Sequence, residues 1–413
     1  MPGVRRSRRG RSSSAPQTPP RPAPEPITEA PQAKEAAAHL AESDMIAFDT
    51  EFLREKTFYP QLGLIQLADR EQVWLVDPLA LSKEEMGPIL EVLTNKNVIK
   101  VLHAAEQDQE CLNHEYDIVA TPILDTSIAA ALTGRGDQIG LGPLLHKTLK
   151  VDVPKGHSRT NWLKRPLPPA MLEYAASDVL YLVELAERLL SALDRRSRRS
   201  WAMSLSAELA AQKRYQANGE AVARKLAQNG RMKPREYEVL KRLASWRESR
   251  VRGSDIPRRW LAEDQALVQL ARAQPQEEAE LSHFRGLGNR VRDYGPKKVL
   301  AAIGEALAVP DGELETPPKK LEHSPREASA LTALKCFLNF MALENDVPLR
   351  YLLDNETQLL LLRGEFETHE ELKESGLLSE GALELFGEDL LGLLHGKRGL
   401  KIDRGKAVIF SVD

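Results

Sequence analysis

The side chains in this sequence best placed to do chemistry are carboxylates at short spacings. Asp49 and Glu51 stand two apart in Met45-Ile46-Ala47-Phe48-Asp49-Thr50-Glu51-Phe52, a run that opens with apolar residues as a buried strand does. Alternate residues of a strand share a face, so both acids aim at one spot. Two like charges side by side cost energy unless a cation lies between them. The pair therefore reads either as part of a divalent-metal site, completed by acids from elsewhere, or as a strand that ends in water. Tyr174 and Asp178 are four apart in Glu173-Tyr174-Ala175-Ala176-Ser177-Asp178-Val179 and share one face of a helix. Leu172, Val179 and Leu182 pin that helix to a core, so Asp178 needs a partner, which a metal would supply. Glu106, Asp108 and Glu110 follow His103-Ala104-Ala105, and their spacing does not choose between them.

The elements that would position these acids alternate between strand and helix. An Ala-rich helix over residues 33–42 leads into the Asp49 strand. Two strands follow, over 62–67 and 72–78, joined by the turn Asp69-Arg70-Glu71. A helix over 83–94, a strand over 97–102 and a helix over 104–113 come next, then Pro122-Ile123-Leu124-Asp125-Thr126 before another Ala-rich helix. Leu167-Pro168-Pro169 opens the long helix that carries Tyr174, with proline in its first turn. This order implies an α/β domain with a mixed sheet. Ligands in such domains gather where strands end and helices begin, which is where the acids fall. Pro154-Lys155-Gly156-His157-Ser158-Arg159-Thr160-Asn161-Trp162-Leu163 has no clear period and reads as a loop. It suits either contact with phosphate and base or a surface loop with a tucked-in Trp.

The chain has 413 residues, enough for two or three domains, and a formal net charge of −3. A global basic signature for nucleic acid is absent, so any such binding rests on local patches. Two cysteines without metal-ligand spacing indicate a reducing, cytoplasmic compartment, and no apolar run approaches a membrane span. Residues 1–32 read as a disordered basic, Pro-rich tail; a transit peptide has a similar composition. Beyond the α/β part, a gap-free internal repeat aligns Asp255-Ile256-Pro257 with Asp346-Val347-Pro348 and Arg272 with Arg363. Each copy reads as a helical bundle. The expected division is a domain over 33–195, a helical linker over 196–232, bundles over 233–310 and 326–413, and a linker over 311–325 between them. Asp194-Arg195-Arg196-Ser197-Arg198-Arg199 is either a solvated helix end or a nucleic-acid contact. Residues 400–413 read as a short strand or a tail.

Phe48-Asp49-Thr50-Glu51-Phe52, Tyr59-Pro60-Gln61-Leu62-Gly63-Leu64-Ile65-Gln66-Leu67, Leu102-His103-Ala104, Pro122-Ile123-Leu124-Asp125-Thr126 and Tyr174-Ala175-Ala176-Ser177-Asp178-Val179 together resemble ribonuclease D. That family comprises 3′→5′ exoribonucleases of the four-carboxylate superfamily, tyrosine branch. The resemblance implies a ribonuclease-H-like α/β exonuclease domain followed by two all-α HRDC-type bundles. It implies two divalent ions, Mg²⁺ or Mn²⁺, held by Asp49, Glu51, Asp108 and Asp178, with Tyr174 orienting the attacking water. It further implies RNA, with tRNA precursors as targets, release of nucleoside 5′-monophosphates, and a monomer with no membrane attachment. Gln61, His103, Lys155, Arg159 and Trp162 are the expected substrate contacts. The first bundle resembles an HRDC module, and Arg247, Arg250, Arg252, Arg258 and Arg259 suggest a basic face, against the alternative of an ordinary charged surface. Asn161 departs from the family pattern, which has Asp there. A scaffold with a vestigial nuclease fold and a DNA exonuclease are the competing readings.

Overall fold

The computed structural model describes residues 24–154, 156, 160–216, 218–228, 230–289, 291, 295–318 and 321–412. Its first half is built on a five-stranded mixed sheet in the order β3-β2-β1-β4-β5. The strands are β1 (Met45–Leu53), β2 (Gln61–Ala68), β3 (Val73–Val76), β4 (Ile99–Leu102) and β5 (Ile123–Asp125). β1 is central, antiparallel to β2 and parallel to β4. Period-two alternation sorts its side chains. Ile46 and Phe48 join Ile65, Leu67 and the helices α1 (Ala30–Ala41), α2 (Gly87–Thr94) and α3 (Glu106–Tyr116) on one face. Ala47 faces the opposite layer, where α4 (Thr126–Leu132), α5 (Leu141–Leu149) and α7 (Leu182–Asp194) pack. α6 (Pro169–Leu180) covers Leu64 and Leu75 on that same side.

Two irregularities of β1 bear on the acids it carries. Its pairing with β4 covers only Met45 to Ala47, so from Asp49 onward that edge of β1 is open. Its register with β2 shifts between Glu51 and Phe52. The turn between β2 and β3 is the expected one: Asp69 Oδ1 accepts from the amides of Glu71 (2.7 Å) and Gln72 (2.8 Å). The helix expected over 83–94 is shorter and starts at Gly87, with Pro88 in its first turn.

The tail expected over 1–32 is shorter than its composition suggested. Ile27 is buried and bridges to the edge strand β3: its amide donates to Leu75 O (2.7 Å), and its carbonyl accepts from Asp77 N (3.0 Å). An edge strand has unpaired backbone groups that a passing segment can satisfy. Residues 1–23 lie outside the described residues.

The expected helical linker divides between its neighbours. α8 (Arg199–Leu209) packs Trp201 and Ala202 into the nuclease core, and Ser206 Oγ accepts from Asp125 N (3.0 Å). α9 (Gly219–Ala227) belongs to the first bundle with α10 (Pro234–Gly253), α11 (Arg258–Leu261) and α12 (Asp264–Ala273). In the basic run before α8, Arg199 pairs with Asp194 through two hydrogen bonds (2.6 and 2.5 Å), and the buried Arg198 donates to Leu132 O (2.8 Å). Those two residues serve the fold. The second bundle repeats the first: its long helix Pro325–Glu344 has the same 20 residues as α10. It is not all-α. Residues 398–411 form a two-stranded antiparallel hairpin, β6 (Arg398–Asp403) and β7 (Lys406–Ser411). Phe337, Leu338 and Phe386 of this bundle share one continuous core with Val179, Leu185 and Leu189 of the nuclease half.

Candidate active site

Four carboxylates from three elements meet at the end of β1. Asp49 and Glu51 lie across from Gln66 and Leu64 of β2, on the sheet face that α6 covers. Asp108 is in the first turn of α3, and Asp178 is on α6 one turn after Tyr174. Burial pushes every one of these carboxyls up, and for Asp49, Glu51 and Asp178 the charges of other acids in the set add to it. Asp49 is raised well above the usual range by burial, then by Asp108, Asp178 and Glu51. Glu51 is pushed up to about 9 by burial, Asp178 and Asp108. Asp108 and Asp178 are each pushed up to about 7, burial again first. The charges of all three other acids add to the upward push on Asp49.

The open edge of β1 explains why Asp108 is the inward acid of its helix. With no β4 partner there, Thr50 N donates to Asp108 Oδ1 (3.0 Å), and Thr50 Oγ1 donates to the same oxygen (2.5 Å). Asp108 is 5% exposed. Its neighbours turn away: Glu106 pairs with Arg214 (2.8 Å) and Glu110 with Arg54 (2.6 Å). The start of α3 is set by Asp125, whose carboxylate accepts from Ala104 N (3.2 Å) and Ala105 N (2.9 Å) while capping α4 through Ser127 N (2.7 Å). Ala104 has a left-handed φ of +61°, a costly conformation for a residue with a Cβ, and Asp125 holds it there.

The Tyr174 hydroxyl hydrogen-bonds the Asp178 carboxylate, which lowers Asp178 against the upward push of burial. Burial, followed by the charges of Asp178, Glu51 and Asp49, holds that hydroxyl above the usual tyrosine range. A buried set of oxygen donors with excess negative charge is by its chemistry a site for a hard divalent cation. Among the described residues no three acid, imidazole or thiol groups close around one point. The donor set fits the expected ions.

The expected substrate contacts are scattered. Gln61 is exposed at the start of β2. Lys155 and Arg159 lie outside the described residues. His103 is half-buried, and both ring nitrogens are engaged within the fold, Nδ1 with Thr126 Oγ1 (2.9 Å) and Nε2 with Ile139 O (3.0 Å). Burial lowers its pKa, and Nε2 donates to the Ile139 carbonyl, which can only accept. The expectation for Trp162 is corrected. It is fully buried against Leu64 and Met171, 6.3 Å from the Tyr174 ring. Gly63 makes the room: a Cβ there would lie 2.8 Å from the Trp162 Cβ. Trp162 is core beneath the site. Asn161 caps its own loop, Oδ1 accepting from Leu163 N (3.0 Å).

Sequence reasoning passed over Thr50 and Gln66, and took Asp125 only as an acid where a strand ends and a helix begins. Gln66 is a polar residue in an otherwise apolar strand, which was the available signal. It is fully buried opposite Asp49, and neither amide atom has a hydrogen-bond partner. Thr50 gave no signal, because its role depends on where β4 stops.

Residues 24–194 match the 3′-5′ exonuclease family and residues 236–303 the HRDC domain family. Ribonuclease D of Bartonella henselae is 32% identical over 384 residues, 92% of this chain and 92% of that protein. Ribonuclease D of Serratia proteamaculans is 36% identical over 283 residues, 68% of this chain and 74% of that one. The crystal structure of Escherichia coli RNase D superposes with a TM-score of 0.75 at 28% identity, covering 90% of this chain and 98% of that one. The chain belongs to the ribonuclease D family and is a 3′→5′ exoribonuclease acting on RNA.

Proposed function

We propose that this exoribonuclease removes nucleoside 5′-monophosphates with two divalent ions, Mg²⁺ or Mn²⁺, held by Asp49, Glu51, Asp108 and Asp178. The observation that carries this reading is the gathering of four carboxylates from β1, α3 and α6, where burial first, and then the charges of Asp178 and Asp108, push Glu51 up to about 9. Bound there, the ions would supply a hydroxide at neutral pH and stabilise charge on the departing 3′-oxygen. Asp49, which feels all three other acids, suits the bridging position. Tyr174 keeps its proton and is a poor base, so its role is to orient the attacking water from beside Asp178. Gln61, Lys155 and Arg159 remain the candidate RNA contacts; His103 braces the turn into α3.

The Escherichia coli relative is described as an exoribonuclease involved in structured RNA processing, which supports tRNA precursors as targets here. We assign the chain to the cytoplasm as a monomer. Two free cysteines suit a reducing compartment, and no described helix is long and apolar enough to cross a membrane.

The test is a degradation assay on one 5′-labelled RNA and its DNA counterpart, with Mg²⁺, with Mn²⁺ and with EDTA. The expected result is a metal-dependent ladder that shortens from the 3′ end of RNA. Cleavage that persists in EDTA overturns the metal reading. No cleavage together with tight RNA binding replaces the enzyme with a scaffold, and equal cleavage of DNA removes the sugar preference.

A further inference from the structure

The repeated Asp-x-Pro corner touches the nuclease half in both bundles. Asp255 and Asp346 each follow the long helix of their bundle with a left-handed φ, +46° and +51°, which aspartate tolerates better than most residues. Asp346 lies against Gly134, just past α4, where a Cβ would stand 2.7 Å from its own. Arg350 beyond it pairs with Asp137 (2.7 Å). Asp255 makes the stronger attachment: its Oδ1 accepts from the amides of both Phe58 (2.9 Å) and Tyr59 (3.0 Å). Arg252 and Arg258, on either side of it in sequence, stand 5.4 and 4.7 Å from the Phe58 ring centre.

Phe58 and Tyr59 belong to the segment that leaves β1 just after Glu51 and returns as β2. That segment also grips α3. Arg54 donates two hydrogen bonds to Glu110 (2.6 and 3.0 Å) and a third to Phe58 O (2.7 Å). Tyr59 stacks flat on His114, with ring centres 3.7 Å apart and planes 3° from parallel. One strap thus ties β1, which carries Asp49 and Glu51, to α3, which carries Asp108. A carboxylate from the helical bundle holds the strap from outside. We infer that Asp255 is a positioning residue for the metal centre, fixing through the Phe58–Tyr59 strap the spacing between the carboxylates of β1 and that of α3. Docking of the first bundle and assembly of the ion site are then one event. The inference rests on the metal-site reading above.

The test compares the full chain with two substitutions. Asp255→Gly keeps the left-handed backbone and removes the carboxylate; Asp255→Asn keeps an acceptor oxygen in place. Asp346→Gly is the control, since it loosens the same corner on a segment that carries none of the four acids. Mn²⁺ binding to the metal-free protein is measured by calorimetry, beside kcat and KM on a 5′-labelled RNA. Asp255→Gly is expected to weaken Mn²⁺ binding about tenfold, the scale of losing a residue that orients metal ligands, and to lower kcat more than it raises KM. Asp255→Asn is expected to bind Mn²⁺ as the parent does, and Asp346→Gly likewise. Tyr59→Ala, which removes the ring stacked on His114 and keeps the backbone amide that Asp255 holds, is expected to weaken Mn²⁺ binding in the same direction and carries the test if Asp255→Gly does not fold. Unchanged Mn²⁺ affinity in Asp255→Gly or Tyr59→Ala, or an equal loss in Asp346→Gly, overturns the inference. A parent chain that binds no Mn²⁺ overturns the metal-site reading instead.

Discussion

Replacing Thr50 with valine isolates one hydrogen bond in the carboxylate cluster. The change is nearly isosteric, Thr50 is 5% exposed, and its amide bond to Asp108 (3.0 Å) survives. What is lost is the hydroxyl donated to Asp108 Oδ1 at 2.5 Å. A hydrogen bond to a charged group contributes about 1.5–3 kcal/mol. The bond favours the ionised carboxylate, so its loss raises the Asp108 pKa, already pushed up to about 7 by burial. At about 1.4 kcal/mol per pH unit, the acid limb of kcat/KM should move about one to two pH units upward. The rate on the acid side should fall about ten- to a hundredfold and recover at alkaline pH. The assay is a pH–rate profile at a fixed, subsaturating Mg²⁺ concentration, with circular dichroism to confirm folding. A folded variant whose acid limb stays in place would refute the reasoning, because Asp108 would then owe its ionisation to something other than Thr50.

Three further outcomes are expected. In the metal-free protein Glu51 is held up to about 9 and Asp178 to about 7, above their ordinary values of 4.5 and 3.8. The native state therefore binds more protons than the unfolded state across that window, and Tm in EDTA should fall as pH rises from acid toward 9, while added Mg²⁺ should restore most at the alkaline end; a Tm that is flat or rises in EDTA contradicts the cluster. Tyr174→Phe should lower turnover about ten- to a hundredfold, short of the upper range for a lost general base, with calorimetric Mn²⁺ binding preserved; unchanged turnover removes Tyr174 from the mechanism. Trp162→Ala should cost about 3–5 kcal/mol of stability, as large aromatic truncations in cores do; a variant of parental Tm that has lost RNA affinity would return Trp162 to the substrate contacts.

How much of the site was legible depended on how local its causes are. Period two on a strand put Asp49 and Glu51 on one face, and four-residue spacing did the same for Tyr174 and Asp178 on α6. Both rules hold whatever the rest of the chain does. Asp108 was not separable from Glu106 and Glu110 by spacing, because the choice is made by the end of the β1–β4 ladder at Ala47, which frees Thr50 N for a side chain from another element. The resemblance to ribonuclease D supplied that residue where the local pattern could not. Trp162 was left open between a substrate contact and a tucked-in side chain for a similar reason. Its loop has no period, and the feature that buries it is a glycine on a different strand.

The helical half shows why a charge count along a helix is a weak guide to a binding face. Of the five arginines that suggested a basic surface, Arg247 is 1% exposed and bonded to Glu248 (2.9 Å) and Asp264 (2.6 Å). Arg258 pairs with Glu248 (2.7 Å) while lying over Phe58. Burying such a network costs desolvation that its ion pairs only partly offset, so its presence calls for another reason than stability. Its location supplies one. Glu248 anchors Arg258, Arg258 covers Phe58, and Asp255 holds the amides of Phe58 and Tyr59. The directional bonds of this network fix one docking angle between bundle and nuclease, which an apolar patch of equal area would leave free to slide. If the ion site proposed above holds four carboxylates at a defined spacing, a fixed angle is worth the desolvation it requires.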